Sequence, residues 1–241
     1  MADLQVFARV EKKYMMDKAQ YRALRERLEG RVLPERFGRH TICNIYFDTA
    51  DWRLIRASLE RPVYKEKLRL RSYGVPGEED TVFAELKKKF KGVVYKRRSN
   101  LTLHEAEDWL YRGVPGVEQD QVMREIDWFR GLYEPLQPRV MIAYDRIAFL
   151  GAEDDGLRLT FDENIRFRQN RLSLRLGADG ERIIPEDRVL MEIKVPGAMP
   201  LWLCRALSDL DIYPNRFSKY GTCYQLFILP ELKEKGGLKS A

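Results

Sequence analysis

Two stretches of the chain carry charged, mostly basic side chains at every second residue. Lys67, Arg69 and Arg71 alternate with Leu68 and Leu70, and a similar alternation follows over residues 84–89. Because successive side chains of a β-strand point to opposite faces, each stretch predicts a strand with one aliphatic and one basic face. Arg and Lys neutralise phosphate groups, and Arg often does so through two parallel hydrogen bonds. The spacing therefore indicates a surface that binds a phosphate-like anion.

Three further segments repeat this design and add carboxylates. Their charged faces combine Arg9, Glu11 and Lys13, then Arg158, Thr160 and Asp162, and finally Glu192 and Lys194. Such faces fit either a two-layer domain with a solvated outer sheet face or a sheet that curls until the charged face lines a lumen. The lumen is favoured because like charges two residues apart on one face repel unless a counter-charge is present. A positive lumen with a few carboxylates suits a linear phosphate chain and a divalent cation that bridges its oxygens.

The composition narrows the chemistry that this chain can perform. Its 241 residues include 43 Lys and Arg against 37 Asp and Glu, which gives a net charge of +6. Hydrophobic residues make up 44%, which excludes a disordered chain, and no apolar run is long enough to span a membrane. With three scattered cysteines and two histidines, we expect reduced thiols and neither a multi-histidine metal site nor a Ser-His-Asp triad. Catalysis would depend on Lys, Arg, Asp and Glu.

Capping residues and periodicity predict the elements that position these side chains. Helices are expected from Asp17 to Glu29, Thr102 to Gly113, Glu118 to Arg130 and Pro200 to Leu210, with a fifth over residues 218–229. Strands are expected at residues 4–14, 42–47, 65–73, 81–89, 93–98, 139–149, 156–167 and 189–195. The predicted class is α+β, a closed antiparallel eight-stranded β-barrel tunnel with a charged lumen, covered outside by helices. One domain is expected over 1–230, followed by a flexible tail at 231–241.

Eight short motifs, in order along the chain, resemble one known superfamily. They are Arg9 to Tyr14, Ile45 to Asp48, Leu68 to Gly74, Phe83 to Lys87, Tyr144 to Phe149, Arg158 to Asp162, Leu190 to Lys194 and Arg216 to Tyr220. Together they resemble the triphosphate tunnel metalloenzymes and, within them, the catalytic domain of the vacuolar transporter chaperone (VTC) polyphosphate polymerases. The resemblance covers about residues 7–229.

The resemblance implies a role for each charged position. The catalytic, phosphate-binding cations of the tunnel would be Lys13, Arg69, Arg71, Lys87, Arg146 and Arg158. Further phosphate-binding residues would be Arg9, Lys96, Lys194, Arg216, Ser218 and Lys219. Glu192 would be the main ligand of Mn²⁺ (or Mg²⁺), with Glu11 and Glu85 as additional candidates, and Tyr144 would stack on the nucleotide base.

The implied activity is transfer of the γ-phosphate of ATP to a growing polyphosphate chain. Arg9 stands where the hydrolytic and cyclase branch carries the first Glu of a Glu-x-Glu-x-Lys signature, and this change favours the polymerase branch. A triphosphatase of the same fold, acting on inorganic or nucleoside triphosphates, is one alternative, and a non-catalytic binder of polyphosphate or nucleic acid is another. The expected partners are ATP and polyphosphate, triphosphate or pyrophosphate, without nucleic acid. The expected location is cytoplasmic, with a membrane protein as a possible partner.

Overall fold

The computed structural model describes residues 10–91, 93–114, 120–234 and 236. The strands are β1 (Val10–Asp17), β2 (Val32–Pro34), β3 (His40–Asp48), β4 (Tyr64–Tyr73), β5 (Thr81–Phe90), β6 (Val93–Thr102), β7 (Gln137–Gly151), β8 (Arg158–Arg168), β9 (Glu181–Arg182) and β10 (Arg188–Val195). The helices are α1 (Lys18–Leu28), α2 (Arg53–Leu59), α3 (Leu103–Arg112), α4 (Gln121–Leu132), α5 (Leu201–Asp209), α6 (Lys219–Cys223) and α7 (Leu229–Glu234). A π-helical segment, Tyr224–Ile228, joins α6 to α7.

The predicted α+β class with a large antiparallel sheet is confirmed, but closure of that sheet is not. The strand order is β1-β10-β8-β7-β3-β4-β5-β6, with β2 on β7 and β9 on β8. Within the described ranges no pairing joins β1 to β6, so the sheet is open and has ten strands rather than eight. Alternating side chains predict strands and their faces, but they carry no information on whether two edges meet. The short strands β2 and β9 offer too few residues for a periodic signal.

The fold divides into two compact units, each with its own hydrophobic core. Unit 1 takes the described residues of 1–40, 145–165 and 184–217, and unit 2 takes those of 41–144, 166–183 and 218–241. Strands β7 and β8 each contribute residues to both units. The expected single domain over 1–230 stays a prediction, and so does the tail at 231–241, of which residues 231–234 are helical.

In each unit the helices cover the aliphatic faces of the strands. Tyr14, Phe161 and Met191 pack with helical Leu24 and Leu203 in unit 1. In unit 2 the core contains the fully buried Leu68, Leu70 and Leu86 from the strands, packed with Trp109 of α3 and Ile126 of α4. The leucines on either side of Arg69 are therefore buried, as the alternation predicts, and Arg69 points to the opposite face. Burial of this apolar area is the main favourable term in folding.

Local sequence signals explain where most of the helices begin. Asp17 accepts a hydrogen bond from the Gln20 backbone, and the Gln20 side chain accepts one from the Asp17 backbone, so α1 starts with a capping box. Thr102 and Glu105 form the same motif at α3. Helix α2 lacks such a signal: its Arg53 amide donates to the Thr49 hydroxyl, and its Leu54 and Ile55 amides donate to Asp48, six and seven residues earlier in the chain. No helix in the described part of the chain has both the length and the apolarity to cross a membrane.

Candidate functional site

A single buried carboxylate organises the charged face of unit 2. The strand register places Arg69 of β4 opposite Glu85 of β5, and Glu85 opposite Arg98 of β6. The Glu85 carboxylate is 1% exposed and lies 2.6 Å from Arg69 Nη2, 2.7 Å from Lys96 Nζ and 2.5 Å from Arg98 Nη2. Arg71 Nε lies 3.7 Å away. Burial acts to raise the pKa of Glu85, but Arg69, Arg71 and Lys96 outweigh it, and the pKa lies well below its ordinary value. Glu85 is therefore ionised and surrounded by four cations.

The two arginines of β4 are held in place by neutral polar side chains. Arg71 Nε donates to Asn44 Oδ1 at 2.9 Å, and the Asn44 amide in turn donates to the Ile142 carbonyl at 3.0 Å. Arg69 Nη1 donates to the Tyr46 hydroxyl at 3.2 Å. These neutral partners fix the guanidinium groups without adding negative charge, so Glu85 remains the one carboxylate, among the contacts described here, that the two arginines share. Asn44 and Arg98 carry no sequence signal of their own, apart from the alternation that places Arg98 two residues after Lys96. Tyr46 lies in the motif Ile45 to Asp48, which assigns no role to its side chain.

Tyr144 lies beneath a lysine rather than open to a ligand. Its ring is 3% exposed, and Lys219 Nζ lies 4.3 Å from the ring centroid. Its hydroxyl accepts a hydrogen bond from Arg71 Nη2 at 3.4 Å. Ser218 caps the five-residue helix α6 by accepting a hydrogen bond from the Gly221 amide at 3.2 Å. Lys219 is thus the residue of the Arg216–Lys219 motif that reaches the arginines of unit 2 through Tyr144, while Arg216 belongs to unit 1 and is exposed.

Unit 1 carries a second charged face in which cations and carboxylates alternate. Lys13 of β1 lies opposite Glu192 of β10, and Glu11 lies opposite Lys194. Lys13 Nζ is 3.3 Å from Glu192 and 3.9 Å from Glu11, and Lys194 Nζ is 3.8 Å from Glu11. Lys13 also donates to the Phe217 carbonyl at 3.1 Å. The four side chains form a continuous network of opposite charges.

Two arginines of unit 1 form two-pronged contacts with carboxylates. Arg146 donates to both oxygens of the buried Asp162, at 2.6 and 2.7 Å, and lies 3.9 Å from Glu192. Arg158 donates to both oxygens of Glu35, from Nη2 at 3.0 Å and also from Nε. The hydrogen bond from Arg158 holds the pKa of Glu35 below its ordinary value. Glu35 follows β2, a strand with no periodic signal, and the sequence therefore gives no reason to select it.

Thr160 adds a neutral group to this face. It lies between Arg158 and Asp162 on β8 and opposite Glu192 of β10, while the intervening Leu159 and Phe161 belong to the core. The residue is 1% exposed, and its hydroxyl has no hydrogen-bond partner among the described residues. An unsatisfied buried hydroxyl costs roughly 1–3 kcal/mol. The alternation predicts that Thr160 points to this face, but it does not single the residue out.

The carboxylates fit a phosphate-bound cation better than a cage made only of protein ligands. No group of three or more His, Cys, Asp or Glu side chains in the described ranges is arranged to hold a metal. Mg²⁺ commonly binds through one or two carboxylates together with substrate phosphates and water. Glu192 and Glu11, which share Lys13 as a neighbour, meet that requirement. Glu85 does not, because four cations already surround it; its predicted metal role stays untested, and its surroundings favour a counter-charge role.

The structure thus sorts the predicted site residues into two groups. The first group lies in unit 2, and its members contact one another directly or through one intermediate residue: Arg69, Arg71, Glu85, Lys96, Tyr144 and Lys219. Lys87 lies opposite Lys96 in the strand register. Those of unit 1 are Glu11, Lys13, Arg146, Glu192 and Lys194 in one network, with Arg158 paired separately to Glu35. Arg9 lies outside the described residues.

Comparisons with known proteins identify the family of this chain and structures with a similar fold. The VTC domain family matches residues 8–228, so the chain belongs to that family, and the predicted resemblance is confirmed. A candidate adenylate cyclase from Bacillus halodurans has a similar structure, with a TM-score of 0.55 and 17% identity over 90% of this chain and 96% of the other. HpAC1 from Hippeastrum, described as an adenylyl cyclase candidate with a dominant triphosphatase activity, gives 0.51 and 16% over 96% and 97%. No curated protein matches the chain.

Proposed function

We propose that this protein is a polyphosphate polymerase that transfers the γ-phosphate of ATP to the end of a polyphosphate chain. The observation that carries the proposal is the cation excess of unit 2 in a member of the VTC family. Arg69, Arg71, Lys96 and Arg98 share the single carboxylate Glu85. Such a surface stabilises the negative charge that spreads over phosphate oxygens during transfer.

The proposed reaction requires no general base. A terminal oxygen of the chain attacks the γ-phosphorus, the bond to the β–γ bridging oxygen breaks, and ADP leaves with that electron pair. The attacking oxygen is already an anion, so no proton has to be removed from it. Catalysis then consists of alignment of two phosphate chains and neutralisation of their charge, which Arg and Lys can supply.

Unit 1 supports the proposal with groups of both signs. Glu192 and Glu11 are the proposed ligands of Mn²⁺ or Mg²⁺, which would bridge and neutralise phosphate oxygens. Lys13 lies beside both carboxylates, and Asp162 and Glu35 position Arg146 and Arg158. The Thr160 hydroxyl is proposed to donate to a substrate phosphate, which would satisfy its hydrogen bonding.

We also propose that the Tyr144 ring stacks on the nucleotide base, which requires Lys219 to move first. Because Lys219 covers the ring, a base can stack on Tyr144 only after Lys219 moves away. The phosphates of ATP supply a competing partner for that ammonium group. ATP as the donor, a cytoplasmic location, a membrane-protein partner and the absence of nucleic acid among the ligands are parts of the same proposal.

A triphosphatase is the second candidate, and the described activity of HpAC1 favours it. In that reaction water replaces the polyphosphate terminus as the nucleophile, and a carboxylate such as Glu11 would orient it. Both candidates use the same cations. The difference lies only in what attacks the γ-phosphorus, so product analysis separates them.

The deciding experiment is incubation of the purified protein with ATP and Mn²⁺, followed by separation of ADP, inorganic phosphate and polyphosphate. The polymerase proposal predicts long chains and more ADP than free phosphate. Equal amounts of ADP and phosphate without chains would establish the triphosphatase instead. If neither product formed while polyphosphate still bound, the protein would be a non-catalytic binder.

A further inference from the structure

The buried carboxylate of Asp48 joins two segments of unit 2 that lie far apart in the sequence. Asp48 is the last residue of β3 and is fully buried. It accepts hydrogen bonds from the Leu54 and Ile55 amides of α2 at 2.8 and 3.0 Å, and from the Tyr220 hydroxyl of α6 at 2.8 Å. The Thr49 amide donates to it as well, at 2.9 Å. Since a buried carboxylate requires hydrogen-bond donors, this one group ties both helices to the end of β3.

The position of α6 depends on such tertiary contacts. Three of its five residues, Gly221, Thr222 and Cys223, rank low as helix formers. The helix also packs closely against the end of α2, because a Cβ at Gly221 would lie 3.2 Å from Leu59 Cδ2 and 3.2 Å from Ser218 Oγ. Close packing fixes the distance between the two helices. It leaves the direction in which the side chains of α6 point to be fixed by a directional contact.

Tyr220 and Lys219 extend from α6 to two different parts of the site. The Tyr220 ring is 2% exposed and stacks on the Tyr46 ring, with the centroids 4.6 Å apart. Lys219 Nζ lies 4.3 Å from the centroid of the Tyr144 ring. Neighbouring residues of an α-helix point about 100° apart, because a turn contains 3.6 residues. A hydrogen bond that fixes the direction of Tyr220 therefore also fixes the direction of Lys219.

We propose that Asp48 is a positioning residue of the phosphate site, which acts through the Tyr220 hydroxyl to hold Lys219 over Tyr144. Neither Asp48 nor Tyr220 is proposed to contact the substrate. The inference rests on the proposed function for the phosphate-binding role of Lys219, whereas the contact between Lys219 and Tyr144 exists without any reaction. Substitution of Asp48 would also release the amides of α2, so the test changes Tyr220 instead.

The segment that follows α6 provides a matched control. Tyr224 lies one turn after Tyr220 and is also 2% exposed, but its hydroxyl has no hydrogen-bond partner among the residues that the structure describes. Tyr220→Phe and Tyr224→Phe each remove one buried hydroxyl, and only the first removes a contact with Asp48. Tyr220→Phe should fold, because Asp48 keeps its amide donors and the ring at position 220 can still stack on Tyr46.

The first measurement observes Lys219 by NMR spectroscopy without a ligand. Protons above an aromatic ring resonate upfield because of the ring current, so the side-chain protons of Lys219 report whether it lies over Tyr144. Their signals are assigned by their loss in Lys219→Gln. We expect the upfield shift in the wild type and in Tyr224→Phe, and its loss in Tyr220→Phe. A residue with a purely structural role would lower the melting temperature and leave this signal in place, and that result would overturn the proposal.

The second measurement tests whether Tyr220 acts through Lys219. Calorimetry gives the affinity for triphosphate, which has no base and therefore reports on the cations alone. Tyr220→Phe should bind about tenfold more weakly, and Tyr224→Phe should bind like the wild type. In a Lys219→Gln background, Tyr220→Phe should cause little further loss, because two residues that act as a unit are not additive. Additive losses, or an equal loss in Tyr224→Phe, would contradict the proposed role.

The positioning role and the polymerase activity can fail separately. The NMR signal needs no substrate, and triphosphate binding needs no phosphoryl transfer. If ATP yielded no polymer while Tyr220→Phe still lost the Lys219 signal and the two losses were not additive, the polymerase proposal would fail and the role of Asp48 would stand. If polymer formed while Tyr220→Phe kept both the signal and the affinity, only the role of Asp48 would fail.

Discussion

The two charged faces arise from the same alternating design but differ in their balance of charge. The ion pairs of unit 1 join four carboxylates, Glu11, Glu35, Asp162 and Glu192, to four cations, Lys13, Arg146, Arg158 and Lys194. On the described parts of β4, β5 and β6 in unit 2, one carboxylate, Glu85, shares a face with eight cations, which are Lys65, Lys67, Arg69, Arg71, Lys87, Lys89, Lys96 and Arg98. Unit 1 is nearly neutral, whereas unit 2 carries a large positive excess.

This difference indicates different functions for similar strands. A balanced network holds its side chains in place without a ligand and still offers carboxylate oxygens to a cation. A face with excess positive charge is less stable without a ligand and gains from every anion that binds. We therefore expect variants in unit 1 to change catalysis or cation use, and variants in unit 2 to change both the stability of the free protein and the binding of phosphate.

Glu85→Gln should show the largest effect, because it removes the carboxylate that four cations of unit 2 share. Removal of one partner from a buried ionic cluster typically costs 3–5 kcal/mol, and we expect a loss of about 3 kcal/mol in the free energy of unfolding, because Lys96 and Arg98 can turn toward water. Denaturant unfolding measures this loss. Glu11→Gln in unit 1 serves as the control and should cost less than about 1 kcal/mol, since its carboxylate is 37% exposed. Similar small losses in both variants would show that Glu85 does not organise unit 2.

Arg69→Ala should abolish most activity and leave the fold intact. Glu85 keeps Arg71, Lys96 and Arg98 as partners, so no carboxylate is left unpaired. Loss of a donor that stabilises transition-state charge costs about 3 kcal/mol, which is roughly a hundredfold in rate. ATP turnover and the melting temperature are measured together. Arg97→Ala is the matched control, because Arg97 neighbours Arg98 but pairs with Glu125 on the other face. Wild-type turnover in Arg69→Ala would remove this residue from the site.

Acid should weaken the protein through the same carboxylate. The pKa of Glu85 is lowered in the folded state, so its ionised form contributes stability above the ordinary pKa of about 4.3. That contribution is lost as the pH falls from about 4.3 toward the lowered folded value, because protons then bind more readily to the unfolded chain. Unfolding measured from pH 7 to pH 3 should show this decline, and it should be smaller in Glu85→Gln. Identical pH profiles would assign acid sensitivity to other groups, of which Glu35 is the first candidate.

Thr160→Val should give the smallest effect, and it tests the role of the buried Thr160 hydroxyl in unit 1. Replacement of an unsatisfied buried hydroxyl by a methyl group should raise the free energy of unfolding by about 1 kcal/mol. The same variant should lose part of the stabilisation that triphosphate provides, and Thr160→Ser should retain it. A purely structural threonine would give a less stable valine variant with unchanged triphosphate binding.

The sequence predicts the faces of the strands well, because burial imposes a period of two. The burial of Leu68 and Leu70 and the opposite direction of Arg69 follow from that rule. It also predicts α1 and α3, since their capping residues lie within three positions of each other. It does not predict the pairing of Arg158 with Glu35 or the amides of α2 that donate to Asp48. Those contacts depend on tertiary structure, which joins residues without a local pattern.

Two further features cannot be predicted from local sequence patterns: whether the sheet closes, and which side chain covers Tyr144. Alternation says nothing about the ends of the sheet, and the open strand order reflects edge pairing that no short motif encodes. The position of Tyr144 on its strand is predictable, but the ammonium group of Lys219 over its ring is not. Tyr144 and Lys219 are 75 positions apart in the sequence and meet only in the folded chain.

The most direct test of the account compares the melting temperature of the protein with triphosphate and with sodium chloride at equal ionic strength. Binding to the folded state alone contributes about 2.7 kcal/mol at a hundred times Kd. We expect triphosphate to raise the melting temperature by several degrees in the wild type and by much less in Arg69→Ala, while chloride has little effect because screening lacks the geometry of a bound anion. Equal small shifts with both salts would contradict the account, since the positive face of unit 2 would then be ordinary solvated surface.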